Sequence, residues 1–349
     1  MKFKKAILLI LLTATTLTGC ANQNKAENSS SKSIALITDG SGINDHSFNQ
    51  SAWEGFKDYG QEYKLNQGRN GYQYFQSKNS GDFSKNIAKA VKTKYQTIFG
   101  IGYKLKDDIS TAAKRYPNKN FVIIDDVIKN HKNVASVTFR KDEGAYLAGV
   151  VAASECKTGR VGFIGGSKSG IINSFSSGFT QGVQDQAKKM HKKITVFHQY
   201  VGNFTDTNKA KSIASGMYGK GADIIFHAAG GAGNGLFKEA KFINQARPAK
   251  DKVWVIGVDA DQSDLGNYFA KGGQEANFVL TSVITGVNVA TKDIASQAYQ
   301  DNFPAGKKLV YGLRSGAVSL LPGQIDPNAW KNAQIAKQKI LAGKIKIKN

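Results

Sequence analysis

Cysteine is almost absent from this 349-residue chain, which has Cys20 and Cys156 and no third. Cys20 closes a lipid-attachment signal, so Cys156 stands alone, no intrachain disulfide can form, and the fold must rest on its core. Apolar residues make up 41% of the chain, which suffices over this length. Metal and phosphate frameworks are missing too. The five histidines (His46, His131, His191, His198 and His227) share no ligand spacing, and no GxxxxGK[ST] loop occurs. GGAGNG, residues 230–235, departs from GxGxxG because Leu236 stands where the last glycine belongs. GGSKSG, residues 165–170, is no nucleophile elbow, since Lys168 occupies the middle of its five-residue frame.

Long apolar runs are lacking as well. The run AILLILLTATTLTG, residues 6–19, is shorter than the roughly 20 helical residues a bilayer requires, and it follows the basic start MKFKK. Leu17, Thr18, Gly19 and Cys20 match a lipobox, in which the Cys20 thiol takes a diacylglyceryl group before cleavage. Residues 1–19 then read as a lipoprotein signal peptide and 20–32 as a polar, flexible tether. The mature chain is expected on the extracytoplasmic face of the cell membrane, held by its lipid.

Acid is scarce beside base: 26 Asp and Glu against 48 Lys and Arg, a formal charge of +22. Cleavage after Gly19 removes three lysines and no acid, leaving +19. The lysines are scattered, with no arginine cluster and no aromatic-basic tract, which argues against a nucleic-acid partner and suits a solvated surface in an anionic envelope. A surface adhesin that uses this basic face on polyanions is the alternative that the charge leaves open.

What the chain has in quantity is alternation. The apolar runs SIALIT, QTIFGI, FVIID, VASVTF, RVGFIG, ITVFHQY, DIIFHA and VWVIGVD end in polar or small residues and are mostly followed by helix-period segments. Strands apolar on both faces and separated by helices imply doubly wound parallel sheets. The length favours two α/β lobes, expected over 33–140 plus 282–312 and over 141–281 plus 313–349, with several crossing strands as a hinge.

In such sheets ligands bind outside the carboxyl ends of the strands. The polar clusters fall there: Asp39 with Asn44 and Asp45, Gly102 with Tyr103, Asp125 with Asp126, Asn203 with Phe204, residues 227–233, and Asp259 with Asp261. The pairs Asp125–Asp126 and Asp259–Asp261 could serve as acid and base, yet strand-end loops carry such residues commonly, and a binding role is preferred to an enzymatic one. Asp45 or Ser47 can cap a helix that buries Phe48, Ala52, Phe56 and Tyr59 along one stripe. Phe48, in its first turn beside Asp39 and Asn49, is then either the top of that stripe or a ring facing ligand. Phe204 or Phe226 offers a second ring, and two rings from opposite lobes could sandwich a planar heterocycle.

ALITDGSGINDHSFNQSAWEGF, VIIDDV, FRKDEGAYLAG, YVGNFTDTNKAK, GADIIFHAAGGAGNGLFKEAK, VIGVDADQ and GLRSGAVSLLP together resemble the basic membrane protein family, the purine-nucleoside-receptor-like substrate-binding lipoproteins of ABC importers. The resemblance implies a type I periplasmic-binding-protein fold and capture of nucleosides, delivered by a monomer to permease subunits with a cytoplasmic ATPase, without a cofactor. It implies that Phe48 and Phe226 stack on the base and that Asp39, Asn49 and Asp126 (or its neighbour Asp125) read its edge. Gly230 and Gly231 let backbone approach the ligand, and Asp259 accepts from ribose hydroxyls. One departure stands out: Thr285 occupies a position where the family often has lysine, so a cation near the sugar is expected to be missing. A receptor for a free sugar or a signalling furanose is the alternative within the binding class.

Overall fold

The computed structural model describes residues 32–348, so the leader and Cys20 lie outside the described residues. Two six-stranded sheets organise it. The first contains β1 (Ile34–Ile37), β2 (Tyr72–Phe75), β3 (Thr97–Ile101), β4 (Asn120–Ile124), β5 (Val134–Phe139) and, from far along the chain, β13 (Lys308–Tyr311). All are parallel, in the order β2-β1-β3-β4-β5-β13. The second contains β6 (Arg160–Gly165), β7 (Thr195–Tyr200), β8 (Ile224–Ala228), β9 (Trp254–Asp259), β12 (Val279–Thr285) and β14 (Val318–Leu320). Its order is β7-β6-β8-β9-β12-β14, parallel except for the last strand. A small hairpin, β10 (Asn267–Phe269) with β11 (Glu275–Asn277), stands apart.

Each sheet is covered on both faces because its strands are apolar on both. In β1, Ile34 and Leu36 join a core with α1 (Phe48–Glu62) and α8 (Val287–Tyr299), while Ala35 and Ile37 join a core with α2 (Phe83–Lys92) and α3 (Lys106–Arg115). The second sheet is packed on one face by α4 (Lys141–Glu155), α5 (Gly170–Lys189) and α9 (Pro327–Leu341), and on the other by α6 (Thr207–Gly219) and α7 (Asn234–Gln245). The helices α4 and α5 touch backbone to backbone: a Cβ added to Gly182 would lie 2.1 Å from the Tyr146 carbonyl oxygen. Only glycine permits that approach.

The chain crosses between sheets three times, at Arg140, Gly286 and Gly312, and the crossings are stitched together. Arg140 N–H donates to the Tyr311 carbonyl at 2.7 Å, Leu313 N–H to Glu143 at 2.9 Å, and Gly286 N–H to Ala317 at 2.6 Å. Since β12 belongs whole to the second sheet, the return to the first lobe begins at Gly286 rather than 282. Among the described residues no helix is long and apolar enough to cross a membrane.

Candidate functional site

In both sheets the strand order reverses beside the first strand, at β1/β3 and at β6/β8, and these crevices face each other. Between them lies a cavity with about 510 Å³ of empty space, counting its mouth. The first lobe contributes Asp39 after β1, Gly102 and Tyr103 after β3, Asp125 after β4, and Phe48 with Asn49 from α1. The second contributes Lys141 from α4, Phe175 from α5, Phe204 after β7, Gly230 after β8 and Asp259 at the end of β9.

The turn into α1 is built around Asp45. Its carboxylate accepts from the backbone N–H of Ser47 (2.9 Å), Asn49 (3.0 Å) and Gln50 (3.0 Å), so Asp45 satisfies the free amides of the helix start. Ser47 holds the N-cap position, yet its hydroxyl is turned across the cleft and donates to Asp259 Oδ2 at 2.5 Å. Asn49 is fully engaged: Nδ2 donates to Asp39 and to Asp45, both at 2.9 Å, and Oδ1 accepts from Asp39 N–H at 3.2 Å. It locks the loop that presents Asp39.

The lobes are closed on each other. Gln262 Nε2 donates to the His46 carbonyl at 2.7 Å, Asn234 Nδ2 to the Asp45 carbonyl at 3.3 Å, and Lys104 lies 5.1 Å from the Phe204 ring centre. Gln262 is held by His227, whose pKa burial pushes down to about 4; the neutral ring meets Gln262 Oε1 through Nε2 at 3.0 Å. Lys141 reaches across to pair with Asp125, and its ammonium sits 4.7 Å from the Phe48 ring centre and 5.4 Å from that of Phe175.

Burial raises the pKa of all four carboxyls here. For Asp39 the rise is opposed by the Ser41 N–H and Asn49, for Asp45 by Asn49 and the helix-start amides, for Asp125 by Lys141, and for Asp259 by Lys141 and Ser47. Four acids against one buried amine make the cavity a poor host for an anion and a good acceptor of hydroxyl and amine protons.

Asp39, Phe48, Asn49, Gly230 and Asp259, singled out in the sequence, all meet at this cavity. Gly231 lies beside it, where a Cβ would come 3.3 Å from the Phe204 carbonyl oxygen and 3.4 Å from Asp45 Cβ, so its bareness serves the contact between lobes. Asp126 is turned away and pairs with Lys106 at 2.9 Å; the neighbour Asp125 faces the cavity instead. Phe226 is not at the wall. It is 0% exposed, packed on Phe179 and Phe163 with ring centres 5.3 and 5.7 Å away, because its place in β8 points it at the α4/α5 core. Phe204 and Phe175 are the second-lobe rings that line the cavity. Phe175 and Lys141 were not singled out in the sequence at all; Lys141 is the first residue of the helix that follows β5 and Phe175 lies in the second turn of the helix that follows β6, and reading those helix starts as strand-end positions would have found them. Lys141 also corrects the expected absence of a cation: an amine is present, delivered from α4 rather than from position 285. Thr285 itself is buried in β12, its hydroxyl outside hydrogen-bond geometry with any of the described residues though close enough to Asp259 to ease its ionisation.

Two doubly wound lobes, three crossings and a cavity between facing strand ends define a type I-like periplasmic-binding-protein fold. A solute-binding protein of an ABC transporter system from Aeropyrum pernix K1 superposes with a TM-score of 0.76 at 23% identity, over 90% of this chain and 92% of that one. The family profile described as ABC transporter substrate-binding protein PnrA-like matches residues 31–349. The chain is 43% identical to the ABC transporter nucleoside-binding protein BmpA of Lactococcus lactis subsp. cremoris, over 99% of each. It is 32% identical to basic membrane protein A of Borreliella burgdorferi, over 91% of this chain and 87% of that protein. The chain belongs to the Bmp family of PnrA-like ABC transporter substrate-binding proteins, which is a family of receptors rather than enzymes.

Proposed function

We propose that this protein captures nucleosides, purine nucleosides foremost, outside the cytoplasm and hands them to an ABC permease driven by a cytoplasmic ATPase. The observation that carries the reading is one cavity bringing together Phe48 of the first lobe, Phe204 of the second, and the buried acceptor Asp259. Two rings from separate lobes hold a flat base only when the lobes are closed, which couples occupancy to shape. Asp39 faces the base edge and Asp259 accepts from the sugar. The nucleoside named for the Lactococcus relative is consistent with that division. Cys20, in its lipobox, anchors the receptor as a monomer at the membrane while the tether lets it meet the permease.

Titration calorimetry of residues 21–349 with purine nucleosides, pyrimidine nucleosides and free pentoses tests the ligand class. Nucleosides should bind and pentoses should not; binding of pentoses alone would sink the reading. Phe48→Ala should weaken nucleoside binding more than about tenfold, since a stacked ring adds roughly 0.5–1.5 kcal/mol beyond its buried area.

A further inference from the structure

Lys141 opens α4 one residue past the crossing at Arg140, and its side chain is 5% exposed. An ammonium carries three N–H donors. Among the described residues its hydrogen-bond acceptor is Asp125; otherwise it lies against the rings of Phe48, Phe175 and Phe139, the last at 5.9 Å. Rings attract the charge but leave its other N–H groups without an oxygen or nitrogen acceptor. The same cavity holds Asp259, placed beside the Phe48 ring by Ser47, the residue just before it. Asp259 accepts from Ser47, with the Thr285 hydroxyl nearby, although a carboxylate offers about four acceptor positions, so acceptor capacity is left over. Lys141 is also the strongest influence easing the ionisation of Asp259 against burial, as its nearness requires.

A cavity that sets unused donors beside unused acceptors suits a group that is both. A hydroxyl is such a group, whereas an ether oxygen or a hydrogen in its place is not. We propose that Lys141 is a ligand-contacting residue, its ammonium donating to the same sugar hydroxyl that donates to Asp259. The pairing deepens the nucleoside reading and rests on it. Paired with Asp125 in a buried site, the amine adds no net charge there, so it selects for an oxygen acceptor rather than for an anion.

The test is calorimetry of the wild-type protein, Lys141→Met, and the double variant Asp125→Asn/Lys141→Met against a purine ribonucleoside and its 2′-, 3′- and 5′-deoxy counterparts. The double variant removes the buried pair together, so it leaves no stranded charge if the single variant fails to fold. Both variants should lose about tenfold or more with the ribonucleoside, while for one deoxy ligand wild type and variants should agree within about twofold. An equal fold-loss with all four ligands, or none with any, overturns the proposal in favour of a purely structural pair. A wild-type protein that binds none of the four overturns the nucleoside reading, and this inference with it.

Discussion

Asp125 and Asp259 occupy matching places in the two lobes, each at the carboxyl end of its sheet's fourth strand in chain order. Both adopt left-handed backbone, with φ of 70° and 68°, a conformation that costs a non-glycine residue on the order of 1–2 kcal/mol. Both are buried. Their partners differ: Asp125 faces an ammonium, Asp259 a hydroxyl. One backbone solution, used twice, thus yields an internally neutralised charge on one side of the cleft and an open acceptor on the other. The strain and the burial are shared; what a carboxylate can do there is set by the neighbour from the opposite lobe.

The sharpest break of this contrast is to remove each carboxylate. Asp125→Ala strands a buried ammonium and should destabilise the fold by about 3–5 kcal/mol, seen as a lower midpoint in urea. Asp259→Ala, which strands nothing charged inside its own pair, should keep or raise that midpoint yet weaken ligand binding by about a hundredfold. Equal losses of stability in the two variants would erase the distinction.

Phe226 and Phe204 extend the same contrast to rings. Phe226→Ala empties the core and should cost about 3–5 kcal/mol of stability, whereas Phe204→Ala should cost little stability and weaken nucleoside binding about tenfold. Thermal unfolding and calorimetry on the same two proteins separate these outcomes.

The smallest effect is a protonic one. Burial raises the folded pKa of Asp259 and Asp125, so the folded protein holds protons that the unfolded chain lacks in the window from 3.8 up to the raised values. These two groups therefore contribute most to stability below that window, and the contribution fades as pH rises through it. Ligand hydroxyls that donate to ionised Asp259 pull its pKa back down. Binding should accordingly release a fraction of a proton and weaken as pH falls through the window. Calorimetry in buffers of differing ionisation enthalpy reads that release, and Asp259→Asn should abolish most of it.

Alternation of apolar runs with helical periods made both sheets legible, because a strand buried on two faces leaves a continuous mark. The half-buried edge strand β2 and the terminal helix α9 left no such mark and were not read. Strand-end logic placed Asp39, Phe48, Asn49, Gly230 and Asp259 at one site. The strand ends left Phe204 or Phe226 and Asp125 or Asp126 open, and the resemblance took Phe226 and Asp126; Phe226 lies two residues deeper on the strand face where Ala228 meets the cavity, and Asp126 one residue past the cavity-facing Asp125.

Local sequence by itself determined that strand ends would carry acids, glycines and rings, since these are the residues that stop a strand and start a helix. Which of them face one another was decided only when two lobes closed. Ser47 sits 212 positions before Asp259 and Lys141 16 after Asp125, and no local pattern records either pairing. The physical reason is that a carboxylate's partner is chosen by distance in space, and that distance exists only once both sheets and the three crossings between them are in place.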